Sequence, residues 1–73
     1  MRKLPVVSGK ECRKALGRLG FEEVRQRGSH VVMKRGESGC VVPAHAEIKT
    51  GTLSGILKQA GVSVEEFVEV LSR

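Results

Sequence analysis

The chain has no tryptophan and no tyrosine, and its only aromatic residues are Phe21 and Phe67. That scarcity argues against reading bases by stacking on an aromatic platform. Cysteine is limited to Cys12 and Cys40, far apart and without a Cys-x-x-Cys pair. They form neither a disulfide framework nor a zinc ribbon. Each stands where a small apolar residue would fit, so they read as reduced core thiols of a cytosolic protein. No apolar run approaches the roughly 20 residues needed to span a bilayer, and no signal peptide is expected. A cytoplasmic protein with no membrane partner follows. Internal repeats and low-complexity tracts are also missing.

Negative charge is scarce in the first half. Ten of the 13 Lys and Arg residues fall within residues 1–36, Arg2 among them, against only Glu11, Glu22 and Glu23. The last nine residues, by contrast, hold Glu65, Glu66 and Glu69. The net charge is +5 and the isoelectric point near 9.8. A polyanionic or acidic partner is the natural complement of this field. The length of 73 residues and the 40% hydrophobic content suit one small domain, residues 1–73, with a single core.

The elements are legible in the punctuation. Pro5 discourages helix before Val7. Ser8 with Glu11 makes a capping box, and Cys12, Ala15, Leu16 and Leu19 repeat at helical spacing. A first helix is therefore predicted over about 9–19, stopped by Gly20. Lys10, Arg13, Lys14 and Arg18 lie on its other face as a basic stripe. Phe21–Gln26 reads as a strand, Arg27-Gly28 as a turn, and Ser29–Arg35 as a second strand. Gly36 to Gly39 forms a hairpin loop, and Cys40–Val42 a third strand ended by Pro43. After a loop over 43–50, a helix is predicted over about 51–60, with Thr50 as its cap and Gly61 as its stop. Ser63 and Glu66 box a last short helix whose stripe is Val64, Phe67, Val68 and Leu71. The order α-β-β-β-α, with a short extra helix, describes an α+β domain: a three-stranded antiparallel sheet with helices on one face. The other sheet face then stays accessible.

The tripeptide Gly28-Ser29-His30 concentrates the chemistry. It places an imidazole at the start of an apolar strand, with cations on both sides. Histidine exchanges protons near neutrality, and Arg and Lys hold phosphate. Alternation along the strand puts His30, Val32 and Lys34 on one face and Val31, Met33 and Arg35 on the other. Neither set is cleanly apolar, so alternation alone does not settle which faces the core; with Val31 and Met33 toward the helices, His30 and Lys34 would occupy the open face. Such a group can move protons while a ribose 2′-OH attacks the adjacent phosphodiester. The RNA supplies the nucleophile, so neither a metal nor a cofactor is required. Arg25, Arg27 and Lys34 are the candidate phosphate contacts, with Ser29 of the tripeptide beside them. Lys49 would join them at the start of the second helix, where unpaired N–H groups favour anions. Lys10 would join from the basic stripe. His45 is either a complementary acid or base or a loop histidine with a structural role. His30, His45, Cys12 and Cys40 match no zinc-ligand spacing, so no metal site is expected.

These residues, taken together, resemble the HicA (YcfA-like) toxins of bacterial toxin–antitoxin pairs. The matching stretches are Lys3-Leu4-Pro5 with Ser8-Gly9-Lys10-Glu11, Gly20-Phe21, the run Arg25 to His30, and Val42-Pro43-Ala44-His45. Gly51-Thr52-Leu53, Ile56-Leu57-Lys58-Gln59-Ala60-Gly61 and Glu65-Glu66-Phe67 complete the match over nearly the whole chain. The Gly36–Gly39 loop lacks the Asp-Gly turn of many relatives. The resemblance implies a double-stranded-RNA-binding-domain-like fold and a metal-independent endoribonuclease acting on mRNA. It also implies His30 as the catalytic histidine and a HicB-like antitoxin as partner. Two other classes stay open on the residues alone: a non-catalytic RNA-binding module, and a protein-interaction domain whose basic face takes an acidic partner.

Overall fold

A computed structural model describes residues 3–73; Arg2, one of the cations of the basic half, lies outside the described residues. The order is α1 (Gly9–Arg18), β1 (Glu22–Arg27), β2 (His30–Arg35), β3 (Ser38–Pro43), α2 (Thr50–Ala60) and α3 (Val64–Leu71). The strands form one antiparallel sheet in the order β1-β2-β3. This is the α-β-β-β-α arrangement with an added C-terminal helix, compatible with a double-stranded-RNA-binding-domain-like fold.

Local chemistry explains most boundaries. Ser8 accepts from the Glu11 amide while Glu11 accepts from the Ser8 amide, which closes the box at the head of α1. Ser63 and Glu66 repeat the device at α3. Each such cap stabilises its helix by about 1 kcal/mol. α1 ends at Arg18 because Gly20 takes φ +97 and lets the Phe21 amide reach back to the Leu16 carbonyl, 3.0 Å away. α2 departs from expectation at its head. Lys49, not Thr50, is the cap residue, and no side chain caps it.

The strand boundaries depart from those expected: β1 is shifted by one residue, β2 is one residue shorter and β3 is longer at both ends. Both hairpins close on two-residue turns whose first residue is a glycine with positive φ, Gly28 at +56 and Gly36 at +59. Ser29 therefore belongs to the first turn, and Arg27 moves from the turn into β1. β3 starts at Ser38, paired with Arg35. Pro43 remains in the sheet as its last residue. It shares the parity of Val41, whose N–H turns away from β2 and donates to Gln59 Oε1 of α2 at 3.2 Å. The missing N–H of Pro43 therefore costs the ladder nothing.

The core lies between the sheet and the helices. Val31 and Met33 of β2 and Cys40 and Val42 of β3 meet Cys12, Ala15 and Leu16 of α1, Leu53, Ile56 and Leu57 of α2, and Phe67 of α3. In α3 the second buried residue is Val70; Val68 and Leu71 are only partly covered. The helix packs by one edge against α1 rather than burying its whole apolar stripe. No helix among the described residues is long and apolar enough to cross a membrane.

Candidate functional site

His30 is the first residue of the central strand, and it is exposed. It pairs with Arg27 of β1 on one side and Pro43 of β3 on the other. Directly paired residues share a sheet face. The buried Val31 and Met33 mark the helix side, so His30, Val32 and Lys34 lie on the open side. This is the orientation expected from the sequence.

A bulge decides which β1 side chains join them. Glu23 pairs with Met33 and Arg25 with Val32, so Val24 is an extra residue. A bulge of this kind re-aims the chain on either side of it. Arg25 and Arg27 share the face of Val32 and His30. Glu22 lies beside Lys34, and Glu23 turns to the helix side, where its carboxylate sits 3.6 Å from the Arg13 guanidinium. Val24 itself is 53% exposed. Sequence reasoning missed the bulge, because no residue in Glu22–Arg27 marks it.

The open face therefore carries Arg25, Arg27, His30 and Lys34 around half-buried Val32, with Val41 exposed on β3. Ser29 sits in the turn before His30. It is exposed, and its carbonyl accepts from the Ala44 amide. Just beyond β3 the chain is tied twice more. The Gly9 amide donates to the His45 carbonyl at 2.8 Å, and the Ile48 amide to the Val7 carbonyl at 2.6 Å. These bonds bring exposed Lys10, one residue past Gly9, and exposed Lys49, one past Ile48, to the same end of the molecule. Gly9 must be a glycine here. A Cβ would overlap the Pro43 carbonyl oxygen and stand 3.0 Å from Ala44 Cα.

The basic stripe of α1 is not uniformly free. Arg13 is spent on Glu23 and on the Gly9 carbonyl, and Arg18 donates to the Val70 carbonyl at 2.8 Å. These two are structural. Arg35 is as well: it donates to the Leu19 carbonyl at 2.8 Å and stacks over Phe21 with its carbon centre 4.7 Å from the ring centroid. Lys10 and Lys14 stay exposed and, with Arg13 and Glu23, line an open cleft of about 420 Å³ between α1 and β1. One carboxylate faces three cations there.

Both thiols are free and buried. Burial, reinforced by neighbouring Cys40 and opposed by Arg13, pushes the Cys12 thiol up to about 12; burial raises Cys40 as well. Neither supplies a thiolate near neutrality. Among the described residues no group of three or more His, Cys, Asp or Glu side chains gathers as metal ligands would.

Comparison with known families returns one described as the HicA toxin of bacterial toxin–antitoxin, matched over residues 9–62. The match runs from the first residue of α1 to just past α2 and includes the whole sheet and His30. No curated protein matches the chain.

Proposed function

The chain belongs to the HicA toxin family of bacterial toxin–antitoxin pairs, and from that premise we propose that it is a metal-independent endoribonuclease that cleaves mRNA, with His30 as general acid/base. The observation that carries this reading is the exposed imidazole of His30 at the head of the central strand, paired with Arg27 on a face that also holds Arg25 and Lys34.

Cleavage proceeds by attack of a ribose 2′-oxygen on the neighbouring phosphorus. The 2′-hydroxyl loses its proton, the O2′–P bond forms, the P–O5′ bond breaks, and the departing 5′-oxygen gains a proton. His30 serves one of these proton transfers, a role that contributes ~10²–10⁴-fold. Arg25, Arg27 and Lys34 offset the charge that builds on the equatorial oxygens. Ser29, Lys10 and Lys49 contact the strand on either side of the scissile linkage. The cleft lysines Lys10 and Lys14 extend the electrostatic track. No metal is needed to generate the nucleophile, because the substrate carries it.

Family membership also implies a cognate antitoxin. We assign that role to a HicB-like protein that covers the open face, where Val32 and Val41 offer apolar contact inside a ring of cations. The setting is the cytoplasm, where mRNA and antitoxin are found.

The test is incubation of purified protein with a single-stranded RNA in excess chelator. The wild type is expected to shorten the RNA, and His30→Ala to lose at least ~10²-fold in rate while retaining its melting temperature. Undiminished cleavage by His30→Ala removes His30 as catalyst. Cleavage that requires Mg²⁺ removes the mechanism. RNA that is retarded on a gel but never shortened turns the protein into a binding module.

A further inference from the structure

The proposed reaction moves two protons, and His30 accounts for one. We propose that His45 is the second proton-transfer group of the same site; this inference rests on the nuclease reading above.

The argument is one of register. In an antiparallel ladder, backbone N–H and C=O groups point alternately toward and away from the partner strand. On β3 the Val41 N–H points away from β2, to Gln59. The Ala44 N–H points toward β2 and bonds the Ser29 carbonyl, so the pairing that sets His30 opposite Pro43 continues one residue past the end of β3. His45 is next, and its carbonyl again turns outward, to the Gly9 amide. Its parity is that of Val41 and Pro43. His45 lies outside β3, but the alternation continued past the Ala44–Ser29 bond puts it on the open face, two residues along from the direct partner of His30. Diagonal neighbours of this kind stand roughly 7–8 Å apart, a spacing that two imidazoles can bridge onto the attacking and leaving oxygens of one phosphodiester.

The residue is also held as a reacting group needs to be. The peptide before it is fixed to β2 through Ala44 and Ser29, and its own carbonyl is fixed to the start of α1. Gly9 presses against Pro43, Ala44 and the His45 amide with no room for a side chain. What anchors His45 is its backbone; its side chain remains exposed. A ring on a clamped backbone is positioned without being used up by structure. The charged groups on the elements around the pair are Arg25 and Arg27 of β1, Lys34 of β2, Lys10 of α1, Glu47 of the loop and Lys49 at the cap of α2.

With one imidazole taking the 2′-proton and the other delivering a proton to the 5′-oxygen, the cleavage rate follows a bell-shaped pH profile. The experiment measures single-turnover cleavage of an RNA oligonucleotide across pH 4–9 by wild type, His45→Gln and His30→Ala, with RNA affinity and melting temperature alongside. His45→Gln is expected to bind RNA as the wild type does, to cleave ~10²–10⁴-fold more slowly, and to lose one limb of the bell. His30→Ala is expected to lose the other limb. A His45→Gln protein that cleaves at the wild-type rate with both limbs overturns the inference. So does one that loses RNA affinity while both limbs persist, since His45 would then be a binding contact. A wild type that never cleaves fails the nuclease reading itself, a distinguishable result.

Discussion

Arg27 and His30 face each other as the last residue of β1 and the first of β2, joined by the two-residue turn Gly28-Ser29. Their pairing sets a guanidinium beside the imidazole on the same side of the sheet. It depends on Gly28, whose φ of +56 is a conformation that side-chain-bearing residues resist.

Gly28→Ala tests that dependence. A Cβ at Gly28 would meet nothing within 4 Å, so any cost is conformational rather than steric. The expected loss is about 1–2 kcal/mol of stability, read by denaturant unfolding. Cleavage should fall at a temperature where the variant is still folded, because the turn that aligns Arg27 with His30 is loosened.

The two kinds of cation on α1 should separate in a salt titration. Lys10→Ala and Lys14→Ala are each expected to lower the slope of log affinity against log salt by roughly 0.7, the value for one phosphate contact on a single strand. Arg18→Ala should leave that slope unchanged and instead lower stability by about 1 kcal/mol, since it removes the hydrogen bond to the Val70 carbonyl. An unchanged slope in both lysine variants would exclude the α1–β1 cleft from the RNA path.

Alkaline pH should weaken the fold through Cys12. Its thiol ionises near 9.0 when unfolded and is pushed up to about 12 by burial. Above pH 9 the unfolded chain has released a proton that the folded chain retains, so unfolding is favoured as pH rises. This contribution to stability is complete below pH 9 and is lost progressively between pH 9 and 12. Stability against pH for the wild type and Cys12→Ala checks it: the substitution costs packing at neutral pH but flattens the alkaline decline. At neutral pH a thiol reagent should label Cys12 only as fast as the protein opens.

Much of this architecture was written in local signals. Ser8 with Glu11 and Ser63 with Glu66 act within four residues, as does the Gly20 stop of α1, and each is found where the sequence puts it. The face of His30 was only partly legible: Val31 and Met33 share one parity, but Val32 gives the His30 face an apolar residue of its own, and only packing against the helices decides between the two faces. What stayed hidden depends on partners distant in the chain. The fates of Arg13 and Arg18 are set by Glu23 and by a carbonyl 52 residues away. The Val24 bulge is a property of two strands in register, so β1 read alone could not show it. Hairpin boundaries moved by one or two residues because each turning glycine occupies the first turn position, which composition does not specify. The geometry beyond β3 that bears on His45 was equally invisible, since it is fixed by Ser29 and Gly9 rather than by neighbours in the loop.

The two rims of the sheet are finished differently. Gln59 occupies the Val41 N–H on the β3 rim, whereas all six residues of β1 stand in solvent. An open rim invites an identical chain to zip alongside it. Here Glu22, Glu23, Arg25 and Arg27 line that rim, and the kink at Val24 breaks its repeat, so a second copy finds neither a flat nor a neutral template. Charge and kink together thus set the exposed rim of β1 against pairing with a second copy of the chain.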